Sequence, residues 1–433
     1  MRRLTIAVLA LTAAAAARPA GAQSYSARRM GMGGVELAGS AANVAWRAVP
    51  PEPSTPRSLS LPIGLLQVLA NPPQLNPKSP DFNVFDLANL LYTTPWNLQL
   101  TQPDPIASDV TISISQSSLA VDLGSVKDVF PKDHSLIGAV VNAPVDIGVR
   151  QFFVGLLPVV EYDNDLSLNP ALHDALANGA PFVPNTTYQI FDKARSQAAA
   201  GAELGVALPL MPAGGQPADR SGLYVGARLK ALRGIAYGDA DNQAGFTTGD
   251  TLFTNPVDIR YVGRLRQAGP ADGGWGAGAD LGAVWITHGV ELGLGVNDVA
   301  TRLHWKVRES VVSSDSATGG YTEQIIRDQA PFTSSIPAVV TASAAMHLGR
   351  TLLAADVVSG VNNTQGHLGA ELWQGAVAYR AGMAIDANHL LEGSCGTGLR
   401  FGNFGLDVAL ASHSRNLQRQ RVLELGAGLA FYH

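Results

Sequence analysis

Between Arg421 and His433 the side chains alternate strictly. Leu423, Leu425, Ala427, Leu429 and Phe431 fall on one face, and Val422, Glu424, Gly426, Gly428, Ala430 and Tyr432 on the other, the period of two of an extended strand. One face is continuously apolar, while the opposite one is small and carries a carboxylate. Such a strand divides a greasy phase from a polar interior, which is the pattern of a transmembrane antiparallel β-barrel.

The segment before it repeats the pattern around a turn. Leu399 and Phe401 lead into Gly402-Asn403, and Phe404, Leu406, Val408 and Leu410 lead away from it, with Asp407 on the opposite face. A tight Gly-Asn link between alternating runs predicts a hairpin. Earlier runs put Glu203 opposite Leu204 and Val206, Arg228 and Lys230 opposite Leu223 to Ala231, and Asp280 opposite Ala277 to Trp285. Glu291 likewise opposes Val290 to Val296, Glu371 opposes Leu368 to Leu372, and Arg380 opposes Val377 to Ile385. Their spacing suits membrane strands of ~9–11 residues and predicts about 14 of them, or about 16, because Val110 to Val160 parses in more than one way. A soluble sandwich also alternates. The persistence of apolar-out, small-or-charged-in runs, together with the N-terminus, favours the barrel.

That N-terminus reads as an export signal. Arg2 and Arg3 precede the apolar run Leu4 to Ala17, and Ala20-Gly21-Ala22 offers a small-residue cleavage site. Residues 23–105 alternate poorly and hold the proline cluster Val49-Pro50-Pro51-Glu52-Pro53 and two apolar, helix-compatible pieces, Leu61 to Ala70 and Pro80 to Tyr92. An apolar piece with no polar face must be buried, so 23–105 is expected to plug the barrel mouth or line the periplasmic side, and 106–433 to form the barrel. The long breaks Glu161 to Ser196, Gly238 to Asn255 and Ser310 to Pro337 are expected as extracellular loops. The first should hold a short helix opened by Asn169-Pro170 and closed at Gly179.

Ala27-Arg28-Arg29-Met30-Gly31-Met32-Gly33-Gly34, followed by an alanine-rich stretch to Trp46, resembles the start of the mature chain in outer-membrane barrels related to the long-chain fatty-acid transporter. Conjugation-associated and type IX secretion barrels look like relatives of the same group. The resemblance implies a barrel in the outer membrane of a Gram-negative-type bacterium. It also implies passage of small hydrophobic compounds or, alternatively, a structural or secretion-associated role with a protein partner at the extracellular loops. The family's ligand-binding residues have no residue-by-residue counterparts here.

Charged residues make up 15% of the chain and the formal net charge is −5, so nothing points to nucleic acid. Ser412-His413 is a poor nucleophile and base pair, because neighbours on a strand face opposite ways. Asp239, Asp241 and Asn242 begin like a calcium loop but meet Ala244 where glycine is required, and the nine histidines lack ligand spacing. No enzyme, metal or cofactor is expected, and the lone Cys395 has no disulfide partner in the chain. The expected partners are outer-membrane lipid and a hydrophobic small molecule, with the barrel monomeric. The residues singled out are the inward charges Glu203, Arg228, Lys230, Asp280, Glu291, Asp356, Glu371, Arg380, Arg400, Asp407 and Glu424, which should pair in the lumen, since unpaired buried charge is costly.

Overall fold

The structure is a computed structural model. It describes residues 27–35, 43–50, 57–59, 98–99, 109–114, 119–125, 134–142, 145–149, 151–212, 220–250, 258–315, 320–360, 363–385, 391–412 and 422–431. The expected signal Met1 to Ala22 and the apolar pieces Leu61 to Ala70 and Pro80 to Tyr92 lie outside the described residues.

From residue 134 the chain is an antiparallel meander. β5 (His134–Asn142) and β6 (Val145–Val149) pair in succession with β7 (Phe152–Leu168). β7 pairs with β8 (Thr187–Pro212), and β8 with β9 (Gly222–Thr247). β10 (Asp258–Ala268) and β11 (Gly273–Thr287) run on in one line between β9 and β12 (Val290–Asp315). In the same way β13 (Gly320–Ser335) and β14 (Val339–Leu348) share the far edge of β12. β15 (Thr351–Gly360), β16 (Asn363–Gln374), β17 (Val377–Ile385), β18 (Leu391–Phe401), β19 (Phe404–Ser412) and β20 (Val422–Phe431) then each pair with their predecessor. Short β1 (Arg57–Leu59) and β2 (Leu98–Gln99) pair with β20.

Taking each broken strand as one span leaves about 14 strands in one sheet. The stretch that parses ambiguously in sequence is partly resolved by β3 (Asp109–Ile114) and β4 (Leu119–Ser125), which pair as a separate two-stranded sheet. The large sheet curls: β5 comes back towards β15 and β16. Residues 27–35 and 43–50 lie inside the curl, with helix α1 (Ala27–Gly31) on β17 to β20 and the 3-10 turn Val44–Ala48 on β8, β9 and β11.

The outer face is apolar. Trp275 and Trp285 stand on the same face of β11, ten residues apart in sequence, and are 66% and 51% exposed. A strand tilted ~35–45° crosses a band ~25 Å tall in ~9–11 residues, with aromatics at both borders. Cross-strand register carries the band sideways: Leu204 faces Leu229, Trp285 faces Leu292, Leu368 faces Met383, Leu399 faces Leu406 and Phe401 faces Phe404. Each of these side chains is substantially exposed, whereas buried ion pairs occupy the other face. This inversion of the soluble pattern makes the sheet a transmembrane barrel wall. At one end of the band the hairpins are tight; Gly402 takes φ 59 in the turn between β18 and β19, with open space around it.

At the other end the wall is lopsided. β8, β9 and β12 run for 26 residues each, whereas β14 to β20 have 9 to 12. The three expected loops are therefore corrected to strand over much of their length: β8 and β9 stay paired out to Thr187 and Thr247. Above the lipid both faces of a hairpin meet polar surroundings. The apolar alternation fades there while the hydrogen-bond ladder continues, and sequence periodicity reports only the former. The short helix is present as α2 (Pro170–Asn178), capped by the Asn169 side chain on Leu172 N–H at 3.0 Å and ended by Gly179 at φ 67.

Candidate functional site

β9 orders the inner face, because its inward residues climb through every layer. From the tight-turn end these are Tyr224, Gly226, Arg228, Lys230 and Leu232. Beyond a register shift between Gly234 and Ala236 come Tyr237 and Asp239.

The lowest layer is the N-terminal segment. Ala45 and Val49 pack with Tyr224, Val284 and Ile286. Asn43 accepts from Ala45 N–H and donates to the Ala283 carbonyl, both at 3.1 Å, and Arg220 donates to the Pro50 carbonyl at 3.1 Å. The backbone lies so close to the wall that a Cβ on Gly226 would stand 2.9 Å from Val44 and Ala45 backbone atoms. At the other end of the segment Gly33, at φ 75, donates to Ser394 Oγ at 2.8 Å, and a Cβ on Gly382 would overlap the Met32–Gly33 peptide. The glycines of the quoted N-terminal motif and of the inward faces thus let two backbones touch.

Above lies a buried charge cluster. Arg228 Nε donates to Asp280 at 2.6 Å and its Nη1 to Glu203 at 3.1 Å. Lys230 Nζ sits 2.6 Å from Asp280 and 2.9 Å from Asp298. Asp298 N–H donates to Asp280 at 2.8 Å, and Thr301 Oγ1 to Asp298 at 3.2 Å. Asp298 and Ala300 hold φ 58 and 53, a conformation costly for residues with a Cβ. They mark where β12 changes partner from β14 to β13, so the buried hydrogen bonds hold a strained junction.

A second cluster stands on the low side. Arg28 of α1 grips Glu371 with two bonds, 2.9 Å and 2.7 Å, and Arg380 bridges Glu371 and Asp407 at 2.6 Å each. Trp373 Nε1 also donates to Glu371 at 3.0 Å. Paired forks of this kind are the strong form of charge-assisted bond.

Over the first cluster comes an apolar collar. Leu157, Leu232, Leu303 and Trp305 are almost fully buried with Tyr237 and Ile336, and Phe332 packs against them. Tyr237 stands 5.5 Å from Trp305 and 5.1 Å from Phe332, centroid to centroid. Trp305 Nε1 donates to Ser334 at 2.8 Å, and Ser334 donates to Gln197 at 2.5 Å, so the indole is satisfied within the collar. Gln197 and Arg195 both donate to Glu161. Burial outweighs those partners and pushes the Glu161 carboxyl up to about 6, and burial likewise raises the Tyr237 phenol. At the mouth Arg266 bridges Asp239 (3.0 Å) and Glu309 (2.7 Å) and lies over Phe332 at 5.3 Å. Beside it a cavity of about 370 Å³ is lined by Arg264, Arg327, Val311 and Ile326.

Of the inward charges singled out in sequence, Glu203, Arg228, Lys230 and Asp280 meet in the first cluster and Glu371, Arg380 and Asp407 in the second. Glu291 stands apart with Arg220 (3.0 Å) and His347 (3.6 Å), and Asp356 with His367 (2.5 Å). Arg400 joins neither cluster; its Nε donates to the Gly402 carbonyl at 3.2 Å. The side chain of Glu424 lies outside the described residues, although its backbone pairs with Ala411. Residues 239–242, which resemble a calcium loop in sequence, are on β9, with Asp239 held by Arg266 and Asn242 donating to Asp192 at 3.0 Å. Sequence reasoning missed Asp298, Arg28 and Arg47. Asp298 sits where alternation breaks, and the two arginines lie on a segment with no period; the signal for Arg28 was its place in the N-terminal motif.

No protein-family model and no curated protein matches the sequence. Among solved structures, the chain is similar to the Ralstonia pickettii toluene transporter TbuX at 14% identity, over 69% of this chain and 89% of that one, with a TM-score of 0.31. The P. putida toluene transporter TodX matches at 12% identity, over 68% and 80%, with a TM-score of 0.31. A mutant Rh. blastica porin matches at 10%, over 64% and 99%, with a TM-score of 0.21. Superposition this loose carries no argument about solute or mechanism; the barrel wall stands on its own belt, register and buried charges.

Proposed function

We propose that the protein is an outer-membrane barrel, monomeric in the lipid of a Gram-negative-type bacterium, that passes small hydrophobic compounds of fatty-acid or aromatic hydrocarbon type. The observation that carries this reading is the collar of Leu157, Leu232, Tyr237, Leu303, Trp305 and Phe332 on the face turned away from lipid. An apolar solute leaving water needs an apolar surface, and this cluster supplies one on the lumen side of the wall. Residues 23–105, of which 27–35 and 43–50 are docked on the inner wall, act as the movable obstruction, and the paired inward charges hold that obstruction in register.

The test is uptake of labelled toluene and of a labelled long-chain fatty acid into vesicles holding Trp305→Ala/Phe332→Ala. Uptake of at least one should fall several-fold while sugar-driven vesicle swelling stays low. Unchanged uptake of both by a properly assembled variant would sink the reading. The second reading, a structural or secretion-associated barrel with a protein partner, draws on the ordered platform at the tall end, where Tyr188 stacks on Phe246 at 5.2 Å and meets Phe182 edge-on at 4.8 Å beside α2. It requires Tyr188→Ala/Phe246→Ala, and not the collar variant, to abolish function.

A further inference from the structure

The two buried clusters share an electrostatic design that transport of neutral solutes does not call for. In the second, the wall supplies two carboxylates, Glu371 and Asp407, against one guanidinium, Arg380; the balancing cation is Arg28 of the N-terminal segment, bound bidentately. In the first, the wall supplies three carboxylates, Glu203, Asp280 and Asp298, against Arg228 and Lys230. Here the balancing cation is Arg47, which lies 4.2 Å over the Phe153 ring; Phe153 pairs with Gly205, two residues along the same face of β8 from Glu203. Glu203 is 1% exposed, and its Oε1 accepts no hydrogen bond in the structure. That oxygen is an acceptor built into the wall and left open beside a cation.

We propose that the inner wall carries two seats for guanidinium or ammonium groups, filled here by Arg28 and Arg47 of the chain's own N-terminal segment, so that the lumen binds and passes small organic cations in preference to anions whenever those side chains leave. The chemistry is that of a carboxylate pair sharing one fixed guanidinium, with room for a second planar fork at Glu371 and for a cation over an aromatic face at Phe153. An unbalanced carboxylate is expensive in a low-dielectric wall, so each seat holds its guest firmly and, once vacated, recruits another cation. An anion meets an excess of negative charge at both seats and is turned away. The inference rests on the reading of residues 27–35 and 43–50 as part of a movable obstruction, and of the two solute types it favours the neutral aromatic hydrocarbon, because a fatty-acid carboxylate would be repelled at both seats.

The test uses the full chain with Arg28→Gln/Arg47→Gln, which vacates both seats whether or not the segment itself moves. In planar bilayers under a KCl gradient, the variant should favour cations about ten-fold, the lower end of the local enrichment that a charged cleft produces. Carbodiimide labelling of Glu371 and Glu203, mapped by mass spectrometry, should rise in the variant and return to the native level when methylguanidinium is added. Arg28→Lys/Arg47→Lys should behave like the native protein in both assays. If the double variant assembles poorly, Arg28→Gln alone should unmask Glu371 and leave Glu203 protected. Anion-preferring or unselective current, or labelling indifferent to methylguanidinium, would overturn the proposal. Unchanged hydrophobic uptake by the Trp305→Ala/Phe332→Ala variant, with both cation assays as expected, would instead count against the transport reading alone.

Discussion

Arg380 holds two carboxylates at once from a fully buried position, and its removal should be felt more than that of any surface charge. Arg380→Met leaves Asp407 without its guanidinium and Glu371 with the Arg28 fork alone. Breaking a buried pair on one side costs ~3–5 kcal/mol, against ~0–1 for an exposed pair. The urea midpoint in detergent should drop accordingly, while Arg308→Met, whose partner Asp328 is half exposed, should leave it nearly unchanged. Glu161 behaves oppositely. Its carboxyl is raised from 4.5 to about 6, so the folded state holds that proton more tightly than the unfolded chain does. The resulting stability is fully present below pH 4.5 and is lost as pH rises through about 6, amounting to ~2 kcal/mol. Subtracting the profile of Glu161→Gln from that of the native protein should isolate this fall; a flat difference would mean that burial does not govern the group. Among single residues the sequence was legible where a charge interrupts an apolar-small alternation, as at Glu203, Arg228 and Asp407. It was silent at Asp298, which sits at a strand irregularity, and at Arg47, which sits on a segment without a period.

At the scale of elements, membrane-height strands could be read from sequence because lipid on one face enforces alternation. Their upward extensions could not, since nothing apolar marks a hairpin standing in water. The docking of residues 27–35 and 43–50 was legible only as a glycine-rich motif, because the fit lies in wall glycines more than three hundred residues away, such as Gly382. Two predictions follow from these assignments. Leu368→Arg, on the lipid face of β16, should lower folding yield in vesicles by ~2–4 kcal/mol if it lies near the midplane, while Thr341→Ser on the inner face should leave yield unchanged. Gly382→Val should expel the α1 end of the N-terminal segment, because its side chain would occupy the Met32–Gly33 backbone. Trypsin cleavage at Arg28 and Arg29 should then become rapid in an otherwise protease-resistant barrel, and continued protection would refute the close approach.

Most of the described residues form one curled sheet whose lipid face is apolar, whose inner face is stacked in layers, and whose two sides differ in height. Its stability depends on lipid meeting one face and paired charge meeting the other, so the assignment of faces is the claim on which every functional reading rests. With the exposed Cys395 replaced by serine, nitroxide labels at Leu352, Leu353, Ala354, Ala355 and Val357 of β15 report that assignment directly. Relaxation by oxygen, which concentrates in lipid, should peak at Leu353, Ala355 and Val357 and fall at Leu352 and Ala354, a period of two; a water-soluble nickel complex should reach none of the three peaks. Oxygen access without alternation, or nickel access at Leu353 and Val357, would contradict a transmembrane wall with its charges turned inward.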